Sequence, residues 1–411
     1  MGTCDGGGGG HDAADSTAPR RLTGVELTPG TVIARSFKTL IVAGTYTPMH
    51  HRGEGGAVRG AAVLDVAGKT WQYGTKPGLK AMEAEVQLMQ QLGRHDCLLR
   101  VFGIAETTHS SSGLRRQWLV TERWSWSLED VLLGRVAGVA LEGSISRLEA
   151  LVEVGRGLTH MHSKYVLHRD MALRNVLLRP RLGGDGDGGG AGGGGAGGGG
   201  AAAGAAAAVG AAAAAAAAAG ASAAATVGGS SGFAACLCDF GISVAAYPAS
   251  AAGVYRPESS RLSLHGPVRS AAPEVLSTEG DGFPVYSAAS DVWAFGVCIW
   301  SLLVQQQPYS DISSNTAAVR QHVLEDGGRL AAVSTYRSSG TGVVAEFDEA
   351  ALAALDLLLA TCFATDRAQR PSAATVTRKL EELLLLQRRQ HRQQEGPPRM
   401  LEPSVEMQTQ P

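Results

Sequence analysis

The sequence has almost no excess of either charge, since 36 basic and 38 acidic side chains give its 411 residues a net charge of -2. A nucleic-acid-binding surface usually shows a basic excess, so we expect no nucleic-acid partner. A membrane-spanning segment is also not predicted, because the long tract of small residues is Ala and Gly, which is too weakly apolar to span a bilayer. A charged start followed by an apolar segment, as in a secretory signal, is absent too. We therefore expect a cytoplasmic chain with no membrane partner.

Cysteine is scarce and scattered. The six residues are far apart except for Cys236 and Cys238, and this pair has no second pair to complete a zinc site. The pattern predicts reduced, mostly buried thiols of an intracellular protein.

Three stretches have too little apolar surface to form a core. Residues 1–25 are rich in Gly, residues 183–232 are nearly all Gly and Ala, and residues 389–411 are rich in Gln, Arg and Pro. We predict a disordered start, a low-complexity insert and a disordered tail around one domain at 26–388. Lengthening a loop from about 4 to about 50 residues costs only about 2 kcal/mol, so the insert can loop out of the fold.

The domain changes character along its length. Residues 31–33, 39–42 and 61–66 are β-branched and apolar, which predicts a hairpin and a third strand. Helical periodicity or long apolar runs then predict helices at 79–92, 146–163, 291–304, 347–363 and 372–387. Short strands therefore precede a mainly helical part.

Residues 168–175, with the sequence H-R-D-M-A-L-R-N, follow the second predicted helix. They resemble the catalytic loop H-R-D-x-x-x-x-N of protein kinases, in which the Asp accepts the proton of the attacking hydroxyl and the Asn binds magnesium. The resemblance gives these roles to Asp170 and Asn175, with Arg169 and Arg174 as further catalytic residues.

Other kinase elements follow in order. Residues 239–241 read D-F-G, 272–274 read A-P-E, and 291–297 read D-V-W-A-F-G-V, while Arg370 resembles the late arginine that pairs with the A-P-E glutamate. From about 31 to 387 the chain thus resembles a eukaryotic protein kinase, closest to tyrosine and tyrosine-kinase-like kinases. The resemblance implies an α+β bilobal fold, with a small antiparallel-sheet lobe at about 26–122 and a mainly helical lobe at about 123–388. It also implies ATP and Mg²⁺ as cofactors, with Asn175 and Asp239 as the metal ligands.

The kind of hydroxyl that receives the phosphate depends on the catalytic loop. Serine/threonine kinases usually carry a Lys two residues after the Asp, whereas this chain has Ala172 there and Arg174 two further on, as tyrosine kinases do. Residues 267–269 read P-V-R as in tyrosine kinases, although the expected Trp is Ser270. We favour tyrosine. A phosphate on Tyr247 or Tyr255, between D-F-G and A-P-E, could pair with Arg169; both could equally be ordinary loop residues.

The first lobe departs from the kinase pattern. Residues 34–39, aligned with the phosphate-binding loop G-x-G-x-x-G, contain no glycine. Residues 61–64, A-A-V-L, align with V-A-I-K, so Ala62 becomes a nucleotide-binding position and Leu64 replaces the phosphate-binding lysine. The helix glutamate that normally pairs with that lysine is assigned to Glu85, with Glu83 as the alternative.

Lys38 offers a substitute lysine. Residues 36–39, S-F-K-T, resemble the with-no-lysine kinases, whose phosphate-binding lysine comes from the glycine-loop strand; Lys38 could equally be an exposed strand lysine. Lys69, Lys76 and Lys80 lie further from the aligned register. Residues 119–122, L-V-T-E, resemble a kinase hinge, which implies that Thr121 is the gatekeeper and that backbone groups after Glu122 bind adenine.

Two functions are compatible with this sequence. An active kinase would transfer the γ-phosphoryl group of ATP to a hydroxyl of a protein substrate, as Asp170, Asn175 and Asp239 suggest. A pseudokinase would act as a binding scaffold or allosteric partner, as Leu64 and the missing glycines suggest. The two functions differ in whether the residues of the first lobe can bind and orient ATP.

Overall fold

The chain folds into two lobes in an α+β architecture, a curled sheet with one helix and a larger helical lobe. The computed structural model describes residues 19–36, 39–48, 62–71, 76–108, 115–181, 232–246, 268–277, 284–312, 315–339 and 343–395. The predicted insert lies outside these residues except for Gly232.

The first lobe contains a six-stranded sheet. Its strands are β1 (Arg21–Leu22), β2 (Val25–Arg35), β3 (Thr39–Tyr46), β4 (Leu64–Trp71), β5 (Val101–Thr108) and β6 (Arg115–Glu122). They lie in the order β1-β5-β6-β4-β3-β2. Pairing is antiparallel except that the two-residue strand β1 runs parallel to β5.

The strand predictions need three corrections. The hairpin exists, but β2 and β3 are both longer than predicted. Arg21 and Leu22 pair with Ile104 and Ala105, so disorder through residue 25 is wrong for this strand, while residues 1–18 lie outside the described part. The predicted third strand, at 61–66, corresponds to β4, which begins at Leu64 and continues to Trp71. Every residue assigned to this strand from the sequence therefore has a different position in the sheet.

Helix α1 (Lys76–Leu92) packs across the sheet. Its apolar residues recur three and four positions apart, which places them on one face. Met82 and Val86 from this face are buried against Ile104 and Leu119 of the sheet. This packing directs Glu85 of the same helix towards the space between the lobes.

The second lobe is mainly helical. Its elements are β7 (Trp126–Ser127), α2 (Leu128–Leu132), α3 (Gly143–Ser163), β8 (Val166–Leu167), β9 (Val176–Pro180), β10 (Phe233–Leu237), β11 (Val244–Ala245), α4 (Pro273–Leu276), α5 (Ala288–Val304), α6 (Thr316–Leu324), α7 (Glu349–Cys362) and α8 (Ala373–Glu395). Strands β7, β9 and β10 form a small sheet, and β8 pairs with β11.

Helix α5 forms the centre of this lobe, since nearly every residue from Ser290 to Val304 is buried. Ser287 accepts a hydrogen bond from the Ser290 amide, and the Ser290 hydroxyl accepts one from the Ser287 amide, which satisfies two amides at the helix start. This rigid end carries Asp291, the residue that fixes the catalytic loop.

Helix α8 corrects the predicted tail. It continues to Glu395, beyond the predicted boundary at 388, and residues 396–411 lie outside the described part. Arg388 forms an ion pair with Glu149 of α3, and Arg156 of α3 pairs with Glu381 at 2.7 Å. These contacts hold α8 against α3.

The five described cysteines are buried and unpaired, as predicted for reduced thiols. None of the helices that the structure describes is long and apolar enough to cross a bilayer.

Candidate active site

A cavity of about 500 Å³ lies between the two lobes. Six of the predicted site residues line it, namely Glu85, Thr121, Glu122, Arg174, Asn175 and Asp239. This volume lies within the range of ordinary ligand pockets, about 300 to 1,000 Å³.

The lysine of the cavity is Lys69. Its Nζ donates to both carboxylate oxygens of Glu85, at 3.1 and 3.2 Å, and to Oδ1 of Asp239 at 2.8 Å. The interpretation that the third strand lacks its lysine is therefore wrong. The motif is Val66-Ala67-Gly68-Lys69, five residues after the alignment that placed Leu64 at the lysine position. Ala67 lines the cavity, whereas Ala62 is exposed before the strand and does not contribute to it.

Gly68 is the one residue of this motif that differs from the kinase pattern V-A-I-K. The kinase pattern has a bulky apolar residue before the lysine, but a Cβ on Gly68 would lie 2.8 Å from Cδ1 of Leu27. Leu27 on β2 occupies the space that a larger residue at this position would need. Replacing Ile by Gly thus fits a close contact between two strands that sequence alone does not reveal.

The positive charge of Lys69 attracts both carboxylates, which repel each other. Burial alone would lower the pKa of Lys69, but the charges of Glu85 and Asp239 outweigh it and raise that pKa. Burial raises the pKa of Glu85, which the charge of Lys69 only partly offsets. For Asp239 burial acts in the same upward direction, yet the charge of Lys69 prevails and lowers the pKa. Lys69 therefore stays protonated and Asp239 ionised near neutral pH.

Glu85 is the helix glutamate of the site, as predicted in preference to Glu83. Only 3% of the Glu85 side chain is exposed. Glu83, in contrast, pairs with Arg21 at 3.0 Å on the outer surface.

The predicted phosphate loop spans the end of β2 and the start of β3. The amide of Ser36 donates to the Thr39 carbonyl at 2.9 Å, and this bond closes the hairpin of β2 and β3. Ala34 and Thr39 line the roof of the cavity. Lys38, proposed from the sequence as a substitute lysine, lies outside the described residues.

Asp291 anchors the catalytic loop from below. Its carboxylate accepts from the amides of His168 at 2.8 Å and Arg169 at 2.9 Å, and from His162 at 3.0 Å. Burial would raise the pKa of Asp291, but the hydrogen bond and charge of His162 lower it. The anchor therefore remains an ionised acceptor.

Asp170 and Asn175 lie together as the sequence predicted. The Asn175 amide group donates to the Asp170 backbone carbonyl at 2.7 Å and to its Oδ2 at 2.9 Å. Arg174 donates to Oδ1 of Asp170 at 2.5 Å. Two donors thus orient the carboxylate, and each oxygen keeps a lone pair for another proton.

Arg169 does not face the cavity. Its guanidinium donates to the Ile242 carbonyl at 2.9 Å and lies 4.2 Å from the ring centre of Tyr286. It connects the catalytic loop to the segment after D-F-G, so its predicted catalytic role becomes one of positioning. Tyr247 and Tyr255, the predicted phosphorylation sites, lie outside the described residues.

The hinge residues occupy the back of the cavity. Thr121 is 6% exposed and lines it. The Glu122 carboxylate accepts from the Arg100 amide at 3.0 Å and pairs with Arg179 at 3.3 Å. These contacts engage the Glu122 side chain.

The predicted Mg²⁺ ligands fit a hard cation. Asp239 is ionised and its side chain is 49% exposed, and Asn175 uses its nitrogen on Asp170, which leaves its amide oxygen for a metal. Magnesium usually takes one or two protein oxygens and completes its shell with water and phosphate. No cluster of three or more His, Cys, Asp or Glu that could hold a metal occurs in the described part of the chain.

Lys69 is the functional residue that sequence reasoning missed, although a signal existed. Val66-Ala67-x-Lys69 differs from V-A-I-K at one position, and β-propensity continues through Trp71. The predicted strand ended at residue 66, so Lys69 was not aligned with the lysine of V-A-I-K.

A family profile decides the classification. The profile described as protein tyrosine and serine/threonine kinase matches residues 36–183 and 229–380, more than half of the chain. The chain belongs to this kinase family. The gap in the match coincides with most of the Gly/Ala insert.

Curated relatives include several kinases. Ephrin type-A receptor 8 of Rattus norvegicus is 31% identical over 131 residues, 31% of this chain and 29% of that protein. The tyrosine-protein kinase transforming protein ros of UR2 avian sarcoma virus is 33% identical over 118 residues, 28% of this chain and 24% of that protein. Mitogen-activated protein kinase kinase kinase 12 of Rattus norvegicus is 41% identical over 58 residues, 14% and 6% of the two chains. Each match spans less than a third of the relative's length.

Proposed function

We propose that this protein is an active kinase that transfers the γ-phosphoryl group of ATP to a hydroxyl of a protein substrate. The observation that carries the proposal is the contact of Lys69 with both Glu85 and Asp239. It joins the sheet, helix α1 and the D-F-G segment at the wall of the cavity that Asn175 also lines. Such a ready-made arrangement of charges is the main requirement of phosphoryl transfer.

Each group has a task in this scheme. Bound MgATP supplies the phosphoryl group. Lys69 directs its ammonium charge at the phosphates, while Glu85 holds it in place. Asn175 and Asp239 would offer oxygens to the magnesium ion, and Ala34 and Thr39 line the cavity near the ends of β2 and β3.

Asp170 acts on the protein substrate. Its carboxylate accepts the proton of the attacking hydroxyl and orients that oxygen. Arg174 and Asn175 keep the carboxylate in one orientation through bonds of 2.5 and 2.9 Å. Asp291 supports all three by fixing the loop backbone.

We propose tyrosine as the preferred acceptor. The support is the contact of Arg174 with Asp170 from the position typical of tyrosine kinases, together with relatives named as tyrosine-protein kinases. A serine or threonine acceptor is the competing choice. Mitogen-activated protein kinase kinase kinase 12 also matches, and its name does not specify a tyrosine acceptor.

Phosphate transfer by the purified full-length protein tests this function. The protein is incubated with MgATP and a mixture of protein substrates, and the phosphorylated amino acids are identified. We expect phosphotyrosine, and we expect Asp170→Asn to reduce the rate about 100-fold or more because the proton acceptor is lost. Phosphoserine alone would overturn the tyrosine preference.

The scaffold hypothesis gives the opposite result. Its main support was the apparent absence of the phosphate-binding lysine, and Lys69 now occupies that position. The absence of glycine from residues 34–39 still supports the scaffold hypothesis. If wild type and Asp170→Asn are equally inactive while a protein partner still binds, the enzyme proposal is lost and the pseudokinase function replaces it.

A further inference from the structure

A second cavity, of about 330 Å³, opens beside the active site. We call it the flanking pocket. Its apolar wall comes from Leu132 and Leu133 at the end of α2, Leu173 of the catalytic loop and Val297 of α5. Leu133 is 43% exposed, so a large apolar side chain stands open to solvent at this site. An apolar wall of this kind gains free energy when another apolar group covers it.

The flanking pocket adjoins the catalytic carboxylate. Glu129 and Arg174 line both this pocket and the nucleotide cavity. The guanidinium of Arg174 also contacts Asp170 at 2.5 Å. A substrate hydroxyl that reaches Asp170 therefore places the neighbouring residues of its chain near the pocket, because an extended chain advances about 3.3 Å per residue.

Ser270 explains why there is space here. It lines the pocket and is 7% exposed. In the tyrosine-kinase pattern P-V-R-W this position carries a tryptophan, and serine lacks the whole indole ring. Ser270 therefore leaves open the space that a tryptophan at this position would occupy.

The charged residues around the pocket already have partners. Arg174 pairs with Asp170 at 2.5 Å, and Glu129 lies 4.0 Å from Arg135. Arg269 donates to the carbonyls of Pro308 and Tyr309. With these charges engaged, a charged occupant would lose hydration for little return, and the apolar wall favours an apolar occupant.

We propose that the flanking pocket binds a large apolar side chain, such as Leu, Met or Phe, located within about three residues of the phosphorylated residue in the protein substrate. This inference rests on the proposed kinase function. It names a specificity determinant of the same site: Ser270 sets the depth of the pocket and Leu133 forms its rim.

Matched peptides test the inference on the full-length protein. Each peptide carries one acceptor residue, and a single position within three residues on either side is changed from Ala to Leu. At one or two positions we expect Leu to raise kcat/KM about 10-fold or more, as for burial of one large apolar side chain. The ratio of kcat/KM for the Leu peptide to that for the Ala peptide is the readout.

Two variants locate the effect. Ser270→Trp should fill the pocket and bring the ratio close to one. Leu133→Glu should also lower the ratio by placing a charge on the rim, and it is expected to fold because Leu133 is half-exposed. Leu385→Glu is the matched control, since Leu385 is 51% exposed on α8, far from the pocket in the fold; it should keep the wild-type ratio. Melting temperatures with and without MgATP show that each variant folds and binds nucleotide.

The outcomes separate the two proposals. If wild type phosphorylates no peptide and no protein, the kinase function fails and the inference fails with it. If wild type phosphorylates the peptides with a ratio near one at every position, only the inference is overturned. A high ratio that survives in both Ser270→Trp and Leu133→Glu would place the apolar preference elsewhere and overturn the assignment of the pocket.

Discussion

The Nζ atom of Lys69 on β4 lies 3.1 Å from Oε1 of Glu85 on α1. Sixteen residues separate the two in the sequence, and only packing of α1 against the sheet brings them together. Their contact fixes the position of α1 relative to the third strand. It supplies the lysine–glutamate pair that the sequence-based alignment of this lobe lacked.

Removal of one partner of a buried ion pair should destabilise the second lobe. Arg370 donates to Glu274 at 2.7 and 2.8 Å, and the arginine side chain is fully buried. We expect Arg370→Ala to lower the free energy of unfolding by about 3 to 5 kcal/mol, because it leaves a carboxylate without its partner. Denaturant titration of the purified protein measures this loss.

The control for this prediction is an exposed pair. Arg378 and Glu382 on α8 lie 2.5 Å apart with side chains 60% and 58% exposed. Arg378→Ala should change the free energy of unfolding by less than about 1 kcal/mol. If Arg370→Ala and Arg378→Ala lost equal free energy of unfolding, burial of the Arg370–Glu274 pair would not explain its effect on stability.

His95 should make the fold sensitive to acid. Its Nδ1 accepts from the Cys97 amide at 3.2 Å, and its ring stacks on His160 with centres 4.5 Å apart. Burial, and then the charge of His160, lower the pKa of His95 in the folded state. The unfolded chain therefore binds more protons, so this contribution to stability is complete above about pH 6.5 and is lost as the pH falls below it.

The variant His95→Gln isolates this effect. Wild type should lose more free energy of unfolding than His95→Gln when the pH falls from about 7.5 to about 5.5. His391→Gln, at an exposed position on α8, controls for the removal of a histidine. Parallel losses in wild type and His95→Gln would contradict the assignment.

The insert should be dispensable. Pro180 at the end of β9 pairs with Phe233 at the start of β10, and the Arg181 amide donates to the Gly232 carbonyl at 2.7 Å. Since these strand ends already meet, replacing residues 182–231 by a turn of about four residues should raise the free energy of unfolding by about 2 kcal/mol. Thermal and denaturant unfolding measure the change. A destabilised protein would show that the insert contributes contacts.

Local motifs allowed much of the second lobe to be predicted from sequence. Asp170, Asn175 and Asp239 lie in contiguous patterns whose spacing is set by one loop or one turn, so their places in the site could be predicted without a structure. The long apolar stretch that forms α5 was equally clear, because a helix buried on all sides needs no fine periodicity.

The first lobe could not be predicted in the same way. The position of Lys69 depends on strand register, and Gly68 follows from Leu27 on another strand. Strand β1 has two residues and shows no periodicity at all. The direction of Arg169 depends on Tyr286, which is far away in the sequence. Each miss concerns a contact between distant segments.

The identity of the phosphate-binding lysine is the most direct test. Phosphoryl transfer from ATP is measured for wild type, Lys69→Met and Lys38→Met under the same conditions. We expect Lys69→Met to lose about 100-fold or more, since one charge aimed at the phosphates is removed, and Lys38→Met to stay within about threefold of wild type, since Lys69 still provides that charge. Full activity of Lys69→Met, or loss of activity in Lys38→Met alone, would contradict the assignment of Lys69.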